Sequence, residues 1–189
     1  MKLLGDGKVE GTIWSGQTVN TSGAYAAPPQ FSIMHYTAMA CKPAIARLLG
    51  TDGNRASSAH FVIDRDGTIY QTCSINIIAW HAGKSRWMDR PSVNKFSIGI
   101  EQVNWGPLTK SKSGFESWDG VLYEGPEPIH AFHRNTPTVM QYWEPYSDAL
   151  IAASLELVKT LGLPVLGHDE ISPIRKSDPG PAFPMAQFR

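Results

Sequence analysis

Ser58-Ala59-His60-Phe61-Val62-Ile63-Asp64-Arg65-Asp66-Gly67-Thr68-Ile69-Tyr70-Gln71 holds two β-branched and aromatic runs around an Asp-Gly pair. That pattern predicts a hairpin, with strands over Ala59–Ile63 and Thr68–Gln71. Upstream, Phe31–Tyr36 is short, mostly apolar and reads as a buried strand, with His35 near its C-terminal end. Downstream, Ser97–Val103 reads as another strand. Its Ile98, Ile100 and Gln102 fall on one face, and its Gly99, Glu101 and Val103 on the other. Pro43–Leu49 predicts a short helix with proline in the first turn and Gly50 as its stop. Ser147–Leu161 predicts a longer one, capped by Ser147, with Ile151, Leu155 and Val158 on the buried stripe and Gly162 at its end. Pro164–Leu166 reads as a last short strand. The mixed order predicts an α/β fold: a central mixed β-sheet flanked by helices, in a single domain with a long loop insertion.

At 189 residues the chain is long enough for one domain with its own core. Residues 1–30, rich in Gly, Ser, Thr, Asn and Pro, are expected to form an N-terminal arm with little regular structure. Residues 31–189 form the main domain. Within it, residues 104–146 mix aromatic clusters with Gly, Pro and Ser; they are expected to be an insertion that walls a groove, with a short hairpin near Gly114–Tyr123. The formal net charge of zero argues against nucleic-acid and anionic-membrane partners. Cys41 and Cys73 lie far apart in no ligand-type pair and read as free thiols. The first residues carry no signal-type apolar run, so the chain as written is expected in the cytoplasm. The sequence specifies no oligomeric state.

The run Gly167-His168-Asp169-Glu170-Ile171-Ser172-Pro173-Ile174-Arg175-Lys176-Ser177-Asp178-Pro179-Gly180-Pro181 is expected to be an irregular loop, because its prolines and glycine break regular elements. It sets a histidine, a lysine and an aspartate at short offsets. Such a loop suits a metal site with a cationic helper, and equally an ordinary polar surface. His35 and His168 both sit at the ends of predicted strands, where open α/β sheets place ligands. Two histidines and a carboxylate with an open fourth position make a catalytic zinc set. Glu101 is a carboxylate in an otherwise apolar strand; a solvent-facing Glu is the competing interpretation.

Taken together, His35-Tyr36-Thr37-Ala38, the hairpin run, Ala79-Trp80-His81-Ala82-Gly83, Ser97-Ile98-Gly99-Ile100-Glu101 and the Gly167–Pro181 run closely resemble the zinc-dependent N-acetylmuramoyl-L-alanine amidases. This is the amidase type 2 family, related to phage amidases and peptidoglycan recognition proteins. The resemblance extends from about Phe31 to the C-terminus. It implies zinc ligands His35, His168 and Asp178, a catalytic Glu101 and a catalytic Lys176. It further implies cleavage of the amide between the lactyl group of N-acetylmuramic acid and L-alanine, in peptidoglycan or a muropeptide. His60 is expected to be structural and His81 to line the groove. Trp80, Trp105 and Trp118 are candidates for substrate contacts, with hydrophobic packing as the competing role. A non-catalytic peptidoglycan-binding module on the same fold is the alternative. Within the enzyme reading, cytoplasmic recycling of muropeptides and wall lysis by a released endolysin both fit.

Overall fold

The computed structural model describes residues 1–53 and 55–189. In chain order its principal elements are β1 (Ile13–Trp14), β2 (Phe31–Tyr36), α1 (Cys41–Leu49), β3 (Phe61–Ile63), β4 (Ile69–Gln71) and β5 (Ser97–Gln102). They continue with β6 (Pro107–Ser111), β7 (Gly114–Glu116), β8 (Ile129–His133), β9 (Thr136–Trp143), α2 (Asp148–Leu161), β10 (Val165–Gly167) and α3 (His168–Ile171). Three two-stranded ribbons complete it: Lys2–Leu3 with Val9–Glu10, Thr21–Ala24 with Ile77–Ala79, and Arg86–Trp87 with Arg90–Pro91.

β2 and β5 are buried on both faces over most of their length, which is why they read as near-continuous apolar runs. They lie at the heart of a six-stranded sheet ordered β10-β2-β5-β3-β4-β1. The first four run parallel, and the predicted hairpin β3–β4 supplies the antiparallel step that makes the sheet mixed. On one face Met34, Phe61, Ile63, Ile98 and Ile100 pack against Leu150, Leu157 and Val158 of α2. Each such fully buried side chain contributes roughly 1.5–3 kcal/mol of transfer free energy. On the other face Ile33, Leu166 and Ile171 form a smaller cluster, and Leu48, Ala59, Val62 and Val103 another under α1. The alternation predicted for Ser97–Val103 therefore holds: the isoleucines face α2, and Glu101 faces away.

Both long helices are stopped by glycines in the left-handed region, Gly50 at φ 81° and Gly162 at φ 64°. α1 starts two residues ahead of Pro43, which still stands in the first turn where its missing N–H is not needed. In α2 the buried positions are Leu150, Ser154, Leu157 and Val158, one residue off the expected stripe. Ile151 and Leu155 flank the face, half-buried; a serine at the centre of the true stripe hides it from an apolar count.

Two expectations need correction. The first thirty residues are not an irregular arm. Ile13–Trp14 pairs with Tyr70–Gln71 as the sheet's edge strand. The buried Gln71 side chain accepts from Val9 N–H (2.9 Å) and donates to Gly7 O (2.9 Å), tying the arm down. Strands of two residues are too short to show any alternation. Residues 104–146 are likewise not a loop. They build an antiparallel sheet ordered β7-β6-β9-β8, and a bridge between Glu116 and Leu122 closes the turn near the expected hairpin. Thr136–Met140 is exposed throughout, so it has no buried face to mark it as a strand. Trp143, at the end of β9, is 1% exposed and anchors this sheet to the domain.

Candidate metal centre

β2 and β5 run parallel with His35 directly beside Glu101, so both side chains project from the same face. β10 flanks β2 on the other side, with Gly167 opposite Met34, and the chain turns at once into α3. His168, the first residue of α3, is thereby set against His35. The run after it was expected to be irregular throughout, but residues 168–171 make one helical turn, with the Glu170 carboxylate accepting from Gly167 N–H at 2.7 Å. The chain then loops back: Asp169 N–H donates to Asp178 O at 2.8 Å, which carries the Asp178 side chain to the two histidines.

Three atoms converge. His35 Nδ1 and His168 Nδ1 are 2.8 Å apart, and Asp178 Oδ2 is 2.9 Å from the first and 2.8 Å from the second. All three residues are nearly inaccessible to solvent. Their outer partners fix the ring tautomers. His168 Nε2–H donates to Ala82 O at 3.1 Å, and a carbonyl can only accept. His81 Nε2–H faces Ser97 O and the Ser97 hydroxyl, whose own proton goes to Val93 O. His81 Nδ1 therefore accepts from His35 Nε2–H at 3.0 Å. Both Nδ1 atoms are left with lone pairs aimed at a carboxylate oxygen. Three electron-rich atoms at this spacing repel one another unless a cation lies between them, so the donor set fits a divalent metal. This is the one cluster of its kind among the described residues.

The electrostatics agree. Burial, and then the neighbouring His168, push His35 down to about 4. Burial also holds His81 well below the usual imidazole range, with His35, His60 and His168 adding to the effect. For Asp178, burial alone would raise the carboxyl; hydrogen bonds from His168 and His35, which form only where no metal takes the Nδ1 lone pairs, outweigh it and hold it well below the ordinary carboxylate range. Glu101 moves the other way: burial first, then the nearby Asp178 charge, raise it well above its usual value, against an opposing pull from Lys176. Its Oε2 has no hydrogen-bond partner.

His35, Glu101, His168, Lys176 and Asp178 line one cleft of about 430 Å³, so the five residues proposed from sequence for metal and catalysis are brought together. His81 is 7% exposed; it lines the cleft, as expected, and also backs His35, accepting from its Nε2–H. It fits there because Gly99 has no side chain: a Cβ would come within 2.3 Å of the His81 ring. His60 is structural, accepting from Gly99 N–H (3.0 Å) and donating to Ile77 O (3.0 Å). Trp80 and Trp105 do not reach the cleft. The Trp80 indole donates to Ser22 Oγ, and Trp105 lies over Arg65 beside a separate hollow. Trp118, 67% exposed, does reach its edge, donating to the carbonyl of the cleft-lining residue Ala38 at 2.6 Å. Arg175 escaped the sequence reading. It donates to Ala82 O (2.9 Å) and Lys84 O (3.2 Å), steadying the carbonyl that orients His168; only its place beside Lys176 hinted at this.

Comparison with known proteins gives consistent likenesses. Residues 25–181 match the family described as N-acetylmuramoyl-L-alanine amidase. A curated relative, the 1,6-anhydro-N-acetylmuramyl-L-alanine amidase AmpD of Escherichia coli, is 36% identical over 132 residues, covering 70% of this chain and 56% of the relative. The chain thus spans little more than half the length of the curated relatives it matches. The crystal structure of a selenomethionine AmpD derivative superposes with a TM-score of 0.68 at 26% identity, covering 99% of this chain and 97% of the other. The E. coli N-acetylmuramyl-L-alanine amidase AmiD, in complex with anhydro-N-acetylmuramic acid-L-Ala-D-gamma-Glu-L-Lys, superposes at 0.64 with 29% identity, covering 87% of this chain and 57% of AmiD.

Proposed function

Because the chain belongs to the N-acetylmuramoyl-L-alanine amidase family, we propose that it is a zinc-dependent hydrolase of the muramoyl–L-alanine amide bond. The convergence of two Nδ1 lone pairs and the Asp178 carboxylate beside an unpartnered Glu101 oxygen carries this reading. His35, His168 and Asp178 would hold the metal. Zinc bound there supplies Lewis acidity toward the scissile carbonyl and acidity to a water molecule. Glu101, held above the usual carboxylate range by burial and then by Asp178, takes the water proton and returns it to the L-alanine nitrogen as the C–N bond breaks. Lys176 offsets the negative charge that develops on the carbonyl oxygen; loss of such a donor costs about 10²–10³ in rate.

The substrate we propose is a soluble 1,6-anhydro-muropeptide, processed in recycling. The name of the AmpD relative supports this choice, as does a cleft whose volume suits one small ligand. Purified protein incubated with anhydro-muropeptide and, separately, with intact sacculi tests it by mass spectrometry. Release of a peptide with a free L-alanine amino terminus from the soluble substrate, abolished by chelation, is expected. Faster release from sacculi would reassign the enzyme to wall polymer, and no release from either would refute the amidase reading. No helix among the described residues is long and apolar enough to cross a membrane.

A further inference from the structure

The tip of the β8–β9 hairpin belongs to the 104–146 segment, yet three consecutive residues there bond to the loop that carries the metal ligands. Asn135 N–H donates to His133 Nδ1 at 3.1 Å, which leaves His133 Nε2–H to donate to Asp169 Oδ2 at 3.2 Å. His133 is 3% exposed and Asp169 5%, so this pair is shielded from water. Arg134 pairs with Glu170 at 3.0 Å, and the other Glu170 oxygen caps the turn that presents His168. The Asn135 side-chain amide donates to Asp169 O at 3.0 Å and, at 3.5 Å, to Lys176 O. Asn135 thus spans from the neighbour of one ligand to the backbone of the cationic residue. Asp169 N–H in turn holds Asp178 O, so the same contacts bear on the third ligand. Further along β9, the Trp143 ring fills the space where a Gly180 side chain would stand, 2.7 Å from an added Cβ.

We propose that the His133–Arg134–Asn135 tip is a clamp on the active-site loop, with Asn135 a positioning residue for Lys176 and for the His168–Asp178 pair. The proposal deepens the amidase reading and rests on it. Between β10 and Asp178 the loop has only one helical turn of regular structure, and its own backbone bond at Lys176, N–H to Ser172 O at 3.0 Å, leaves the Lys176 carbonyl to be fixed from outside. An amide that ties two carbonyls on opposite limbs of the loop supplies that fixity. A misplacement of about 1 Å in such a site costs on the order of 10²-fold in rate. The extra sheet then serves as a brace to the chemistry as well as a wall.

Asn135→Ala and the near-isosteric Asn135→Asp both delete the amide donors. The full zinc-loaded chain is assayed for kcat and KM on anhydro-muropeptide, and for zinc affinity by competition with a chromophoric chelator. The clamp predicts that kcat falls and the zinc dissociation constant rises, each about 10–100-fold, while KM stays within about twofold. Asn135→Asp preserves shape, so it reads the effect even where Asn135→Ala folds poorly. The proposal is overturned if either folded variant keeps both constants within about twofold of the parent, or if only thermal stability drops while zinc affinity holds. Lack of amidase activity in the parent chain would sink the amidase reading instead, and the zinc constants would still judge the clamp.

Discussion

Glu101 sets folding against chemistry more sharply than any other residue at the site. Its carboxyl is raised well above the ordinary range by burial and by Asp178, and one oxygen has no partner. A carboxyl raised in the folded state costs nothing below the unfolded-state pKa, and the cost grows as pH rises through the folded-state value. In metal-free protein, Glu101→Gln should therefore raise Tm at neutral pH, and the gain should vanish toward pH ~4, where both states are protonated. The same variant, loaded with zinc, should lose at least about 10²-fold in kcat as its proton carrier disappears. A calorimetric pH series beside a turnover assay checks both halves; full activity would remove Glu101 from catalysis. A lone carboxylate in an apolar strand made Glu101 a candidate and the strand period gave its face, but a solvent-facing Glu fitted the pattern as well, and the family resemblance supplied its catalytic role. Trp80 and Trp105 stayed open between substrate contact and packing, because an aromatic side chain fits either, and neither lines the cleft.

At the scale of elements, α2 shows how much one capping residue can hold. Ser147 Oγ accepts from Leu150 N–H at 3.2 Å and also donates to Arg65 O in the β3–β4 turn, joining helix to hairpin. Ser147→Ala should lower stability by about 1 kcal/mol, within the roughly 0.5–2 kcal/mol known for caps, read as a shift of the urea midpoint at constant m. An unchanged midpoint would mean that neither bond matters. Elements with strong local signals were legible: the Asp-Gly hairpin, both helices between their caps and stops, and the two buried strands. The β6–β9 sheet was not, since its long strand is exposed and its residues are ordered by pairing with one another and by Trp143 against Gly180. The edge strand β1 was hidden for another reason, because its order is imposed by backbone pairing with the hairpin, while the Gln71 side chain holds Gly7 and Val9 just upstream.

Across the whole molecule, the sheet order does the work that no segment does alone. His35 lies 133 positions from His168 and 143 from Asp178, and the β10-β2-β5 neighbourhood closes those intervals. Sequence supplied the five residue types and their strand ends, and the family resemblance supplied their grouping. The clamp from the second sheet was invisible, because it depends on where a hairpin tip docks. The proposed chemistry stands or falls on the metal. Elemental analysis of the purified chain, with parallel samples of His168→Ala and Asp178→Ala, tests it most directly. One zinc per parent chain and substantially less than one in each variant is the predicted result; a parent chain that binds no zinc under saturating supply, or variants that retain it in full, would contradict it.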